Sequence, residues 1–343
     1  MFFAWIKSLG NHSEKPSNLK NKQSGFALLT VLLVVALVAM VSSELLYEQE
    51  VQIKRSSFMI HQAHSLSVGY GFEGWVKKGL KADADNNKVD HLNEQWAQAL
   101  PPVDFEGGLV SGAMFDLQAR LNLNNVLETD AVKQKFWQAA IERLLQNTLA
   151  SDEVARDFQG FADVLTDWVD SDDETRDYGA ESSSYLLKQP AYRAANQPLV
   201  MVSELQNLQG LENLSDAEIF QVSNYVTALP TVAAVNVNTV DKFVLMSLTE
   251  WLTESIVDQW LIERKTQPAE EVAEFINFLI DATGFEQAEI EKALPDGVLA
   301  VKTDYFILNA RVDYGEVQQV VTSVFKRDEN NSVTLVQRWL SVI

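Results

Sequence analysis

Lys22-Gln-Ser-Gly25-Phe26-Ala-Leu-Leu-Thr30-Val-Leu-Leu-Val-Val-Ala-Leu-Val-Ala-Met-Val-Ser-Ser43 is the stretch that decides how this chain is organised. Residues 26–43 carry no charge, and Glu44 ends the run. At 18 residues it lies at the lower edge of what crosses a bilayer as a helix. A secretory signal peptide places small residues after its apolar core, where it is cut. Here the small residue, Gly25, comes before the core. Cleavage between Gly25 and Phe26 would remove only the polar leader, residues 1–25, and leave the apolar helix on the mature chain. An ordinary N-terminal anchor preceded by a chance glycine is the plainer alternative. Lys7, Lys15, Lys20 and Lys22 precede the run and acidic residues follow it. By the positive-inside bias this predicts a single-pass protein with its bulk exported.

Working outward, no proline occurs from Glu44 to Leu80, and apolar residues recur at helical spacing: Leu46, Val51, Ile53, Phe58, Ile60, Leu66, Phe72, Val76, Leu80. One helix is predicted from Phe26 to about Ala82, with Gly69 and Gly71 as points where it could bend. Pro101-Pro102 and Gly107-Gly108 read as turns, and Leu109 to Leu121 as strand. The C-terminal Tyr305–Tyr314, Glu316–Lys326 and Ser332–Leu340 read as three strands of an antiparallel meander, which needs a further strand and a covering helix. Between them, Asn124 to Leu299 shows helical periodicity throughout. The fold class expected is α+β: a long N-terminal helix packed on an antiparallel sheet that is interrupted by a large all-helical insertion. The expected domains are a transmembrane part at 26–43, an α+β domain from 44–123 and 300–343, and the insertion at 124–299.

A chain of 343 residues is expected to form two domains. The net charge of −21 argues against nucleic acid and anionic lipid headgroups, and suits a divalent cation or a basic partner. With no cysteine, disulfides and thiolate chemistry are excluded. His12 lies in the leader, His61 and His64 have no carboxylate one turn away, His91 lies near Trp96 and Glu94, and each reads as structural or solvated; no GxSxG, HExxH, P-loop or GxGxxG pattern occurs. Nothing resembles an enzyme's site.

From Ser151 to Glu181 there are eleven Asp or Glu residues against two arginines. Counting Asp170 as position 1, Asp172, Glu174 and Glu181 fall at positions 3, 5 and 12 of an EF-hand-like loop. Thr175 replaces the glycine wanted at position 6, which disfavours a regular EF-hand. A calcium site of another geometry and a solvated acidic loop both remain open. Asp83, Asp85, Asn87 and Glu94 repeat the spacing at lower charge density, with Lys88 opposing a cation, and read as a helix-ending loop.

The succession of later motifs is more specific than the junction at Gly25. Asp116-Leu-Gln-Ala-Arg-Leu-Asn-Leu-Asn-Asn125, Trp168-Val-Asp-Ser-Asp172, Gly179-Ala-Glu-Ser-Ser-Ser-Tyr185, Tyr192-Arg-Ala-Ala-Asn196-Gln-Pro198 and Asn236-Val-Asn-Thr239 together resemble the K-type minor pseudopilins of type II secretion, the largest pseudopilins. The match runs from Gly25 essentially to the C-terminus. The resemblance implies cleavage by prepilin peptidase after Gly25, methylation of Phe26, and residence in the inner membrane of a Gram-negative bacterium with the bulk of the chain in the periplasm. It implies I-type and J-type minor pseudopilins, the major pseudopilin and the inner-membrane assembly platform as partners. It further implies a non-enzymatic tip subunit that initiates the pseudopilus and supports export of folded proteins. Most pilin-like proteins carry glutamate at the fifth mature residue, where this chain has Thr30; the K-type family shares this lack. Ca²⁺ within the insertion is implied as well, with Asp170, Asp172, Asp173, Glu181, Tyr185 and Asn196 at the matching positions. Ser182, where the family often has aspartate, departs from the pattern. A minor pilin of a type IV pilus and a membrane-anchored calcium-binding enzyme are the alternatives.

Overall fold

The computed structural model describes residues 23–149 and 157–342, so the leader before Gln23 and the start of the acidic segment lie outside the described residues. The chain divides into two units, residues 1–60 and 61–343. The described part of the first is helical, and its large apolar side chains from Phe26 to Val41 are all exposed. Its most apolar window has a mean hydropathy of 2.7, which fits a single-pass anchor.

Helix α1 runs uninterrupted over Gln23–Asn86. In the second unit its inner face, Phe72, Val76 and Leu80, follows i, i+4, i+8 spacing and is buried. That face meets Val110, Met114, Phe306, Leu308, Val312, Val321 and Phe325 of a five-stranded sheet, forming one apolar core. Gly69 and Gly71 do not interrupt the helix. A Cβ on Gly69 would sit 2.9 Å from Val321 Cγ2, so this glycine lets helix and sheet approach closely. Glu73 is buried on the same face. Its Oε1 accepts from Arg338 Nε at 2.8 Å, it also accepts from the Ser323 hydroxyl, and Arg338 lies over the Tyr70 ring at 4.1 Å.

The sheet's first strands are β1 (Leu100–Phe105) and β2 (Gly108–Asp116). Pro101 and Pro102 lie within β1, not in a turn. Proline cannot donate to a ladder, and β1 is an edge strand whose register shifts between Leu100 and Val103, where that loss is tolerated. The chain then leaves the sheet. It passes through β3 (Leu121–Asn122), α2 (Ala131–Leu149), α3 (Phe161–Val169), the single turn α4 (Ser182–Tyr185), α5 (Asp216–Val222), β4 (Val226–Thr227) and β5 (Val235–Asn236). Helices α6 (Lys242–Leu248), α7 (Glu254–Thr266), α8 (Val272–Thr283) and α9 (Gln287–Ala293) follow, then β6 (Leu299–Ala300). Strands β7 (Tyr305–Tyr314), β8 (Val317–Arg327) and β9 (Val333–Val342) complete the sheet in the order β1-β2-β7-β8-β9, antiparallel throughout. The architecture is therefore α+β, with a long N-terminal helix, an antiparallel sheet and a helical insertion, as the sequence predicts. The insertion has its own large core around Trp137, Ile141, Leu144, Leu165 and Leu245.

Asp116 and Asn236 join the insertion to the sheet, and further buried asparagines tie the insertion's own loops together. Asp116, at the end of β2, accepts from the Gln118 N–H at 2.6 Å and from the hydroxyls of Thr239 and Thr303, each at 2.5 Å. Asn236 Nδ2 donates to Thr303 Oγ1 at 2.9 Å and to Asp116 Oδ2 at 3.3 Å. Asn124 donates to the carbonyls of Leu199 and Leu229 and accepts from the Leu199 N–H; Asn125 exchanges two bonds with Ala233, and Asn238 two with Ala269. Each side chain takes the place of a neighbouring strand, satisfying backbone groups that would otherwise be buried unpaired.

Burial pushes the Asp116 carboxyl up to about 6. A folded value above the unfolded one favours the folded state at low pH, and the advantage is lost as pH rises through the folded value. Comparing denaturant unfolding of the parent and Asp116→Asn cancels the remaining titrations. The stability difference, parent minus variant, is expected to increase as pH falls from 7 to 4. A flat difference would mean that Asp116 titrates normally.

Candidate metal centre

Helix α3, Phe-Ala-Asp-Val-Leu-Thr-Asp-Trp-Val, is buried at every residue but Asp163. Asp167 is thus carried into the interior, with no exposed surface. It accepts from the Arg176 N–H at 3.1 Å and from Arg176 Nη1 at 2.5 Å. The helix stops at Asp170, whose backbone is extended, and the loop beyond it folds back over Asp167. A Cβ on Gly179 would lie 1.8 Å from Asp167 Oδ2, so only glycine lets the return segment pass. Buried Ala180 follows, and then Glu181, only 2 % exposed.

Asp170, Asp172 and Glu181 each bring a carboxylate oxygen within 4.8 Å of the others. Among the described residues, neither Glu181 oxygen receives a hydrogen bond, nor does Asp170 Oδ1; the other Asp170 oxygen takes Arg176 Nη1 at 2.6 Å. Asn196 joins them from the far end of the loop. Its backbone is left-handed (φ 46°), its N–H donates to Trp168 O and its Nδ2 to Asp172 O, both at 3.0 Å. These bonds leave Asn196 Oδ1 buried with no donor among the described residues. Burial, together with the charges of Asp167 and Asp170, pushes Glu181 up to about 7, and burial raises Asp170 as well. Acceptor oxygens crowded without donors want a cation, and an all-oxygen set suits a hard one such as Ca²⁺.

The other expected ligands sit differently. Asp173 is exposed and lines a cavity of about 620 Å³ together with Glu181, Asn196 and Arg193. Glu174 is exposed and offers its N–H to Asp172 Oδ1 at 2.9 Å, whereas Asn196 Oδ1 is buried. The Tyr185 ring meets Trp168 edge-on and stacks on Tyr192, and its hydroxyl accepts from the Gln209 N–H at 3.3 Å. Burial pushes that phenol up to about 12. Asp167 and Arg176 escaped the sequence reading. The signal was available, since Asp167 is a carboxylate among the apolar residues Val164, Leu165, Trp168 and Val169, three residues before Asp170.

A second acidic cluster joins Asp83, Asp90 and Glu94. Asp85, expected there by spacing, turns instead to Lys81 at 3.8 Å and Asn331 at 3.1 Å. The cluster holds its own cation: Arg327, 1 % exposed, pairs with Asp90 and lies 3.9 Å from Asp83.

Two family models described as type II secretion system (T2SS), protein K match residues 119–231 and 235–302. The chain is 32 % identical over 331 residues to the type II secretion system protein K of Pseudomonas aeruginosa, covering 93 % of both. It is 27 % identical to that of Aeromonas hydrophila, covering 92 % of this chain and 97 % of that one. The fold resembles a chain in the crystal structure of the GspK-GspI-GspJ complex from the type 2 secretion system of enterotoxigenic Escherichia coli. There the TM-score is 0.72 at 23 % identity, over 84 % of this chain and 99 % of that chain. The family models span more than half of this chain, and the Pseudomonas relative aligns along nearly all of it: the chain belongs to the type II secretion system protein K family.

Proposed function

We propose that this protein is the tip subunit of a type II secretion pseudopilus. In this role it nucleates the filament together with I-type and J-type minor pseudopilins. Family membership carries the proposal, and the anchor adds to it. In mid-bilayer an unpaired carboxylate is costly, so a subunit with a neighbour stacked above it benefits from a glutamate at the fifth mature residue, and a terminal one does not. Thr30 needs no neighbour, because its hydroxyl donates to Ala27 O of its own helix at 2.9 Å. The insertion, far larger than the sheet it interrupts, suits a cap better than a repeating unit. The partner set is supported by the complex in which the structural relative was crystallised.

Processing follows from the junction at Gly25. Mass spectrometry of the native protein from its host is expected to find an N-terminus at Phe26 bearing one methyl group. An intact Met1, or cleavage beyond Ser43, would contradict it.

Ca²⁺ is the proposed structural ion, held by Asp170, Asp172, Glu181 and Asn196. When bound it supplies the positive charge that these oxygens lack and ties the end of α3 to the loop's return. An ion that binds only the folded state stabilises it by about 2.7 kcal/mol at a hundredfold excess over its dissociation constant. Chelation should therefore lower the unfolding temperature of the full-length protein in detergent, and Ca²⁺ should restore it better than Mg²⁺, which demands a more regular cage. Asp170→Ala and Glu181→Ala should abolish that response, and Asp83→Ala should keep it. No calcium dependence in the parent would leave the loop a solvated acidic surface.

A further inference from the structure

A cavity of about 400 Å³ opens between the last turns of α1 and the first two strands. Its walls are apolar: Trp75, Leu80, Trp96, Leu100 and Met114. Asp83 and Glu94 line it too, and they belong to the second acidic cluster, which the metal proposal does not use. Glu94 is 7 % exposed. Its Oε2 takes the Trp96 indole N–H at 2.7 Å and the His91 N–H at 2.9 Å, whereas Oε1 receives no hydrogen bond among the described residues. Asp83 Oδ2 is likewise without a donor within hydrogen-bond distance. Arg327 offsets one of the three carboxylates and leaves the cluster net negative. Burial raises both Asp83 and Glu94, the cost of holding them here without a nearer cation.

The two chemistries in one cavity narrow the occupant. A hard divalent ion wants six or more oxygens and gains nothing from indole walls. A lysine or arginine matches both: its hydrocarbon stem lies along apolar and aromatic surface while its charged head reaches carboxylates. Trp75 lines the cavity and is 53 % exposed, and tryptophan is enriched among the residues that carry binding energy at protein–protein interfaces. The net charge of −21 favours a basic contact on the partner. We infer that this cavity is a docking pocket for a basic side chain of a neighbouring minor pseudopilin, with Trp75 as its lip and Asp83 and Glu94 as its floor. The inference rests on the proposed assembly with I-type and J-type subunits.

Full-length protein in detergent micelles, mixed with full-length I-type and J-type minor pseudopilins, provides the test. Trp75→Ala and Glu94→Gln should each weaken association about tenfold or more, and Glu94→Gln should flatten its dependence on salt. Trp75 is half exposed, so Trp75→Ala should melt like the parent when alone, separating docking from folding. A photo-reactive benzoylphenylalanine at position 75 should capture a partner peptide containing lysine or arginine. Parental affinity in both variants would overturn the pocket while leaving the assembly intact. Loss of one bound Ca²⁺ per chain in Glu94→Gln would overturn it in favour of a metal site. If the parent itself fails to associate with either subunit, the proposed assembly falls and the pocket with it.

Discussion

Buried side-chain hydrogen bonds govern this structure: those of Asp116 and Asn236 where sheet meets insertion, and those of the asparagines just inside it. A large helical segment enters and leaves the sheet through two narrow places, after β2 and before β7. The backbone there is irregular and buried, and an irregular buried backbone has no ladder to satisfy it. Asn122, Asn124, Asn125, Asn236 and Asn238 stand in for the missing ladder, and Asp116 gathers Thr239 and Thr303 at its centre. Leu117 and Leu229, packed with Tyr305 and Val324, add an apolar contact across the same joint.

The candidate metal centre uses the same chemistry with the opposite outcome. At the joint every carboxylate and amide oxygen finds a donor; at Asp170, Glu181 and Asn196 the donors are withheld. Arg176 stabilises Asp167 and one face of Asp170, fixing the loop's shape while leaving the other face open. An acidic loop thereby becomes a preorganised set of oxygens, and Gly179 is what permits so close a return.

Long-range regularity was legible in the sequence, and local polar geometry was not. The period of Phe72, Val76 and Leu80 announces the helix face, and the β-branched runs at 305–342 announce the strands, because both patterns repeat along the chain. Pro101-Pro102 misled, since a dipeptide cannot tell a turn from an edge strand. Asp170, Asp172, Glu181 and Asn196 could be named from motifs. That Glu174 is exposed while Asn196 Oδ1 is buried without a donor, and that the Tyr185 hydroxyl meets the Gln209 N–H, depend on how the loop closes, which spacing does not encode. The motif Asp116–Asn125 shows the converse. Its residues stood out in the sequence with no role attached, and the structure gives each asparagine a specific backbone partner.

The pairing of β2 with β7 also bears on how the chain acquires its structure. Gly108 meets Tyr314 and Asp116 meets Phe306 across an intervening segment of nearly two hundred residues. The entropy of closing a loop rises only slowly with its length, but non-local pairing of this kind is slow to form. If the insertion folds first around its own core, it brings the two strand ends together and shortens the search. In a chain that emerges N-terminus first, β1 and β2 must therefore wait, unpaired on one side, until the C-terminal strands arrive. The prolines of β1 then protect the hairpin's outer edge from pairing with other chains during that interval.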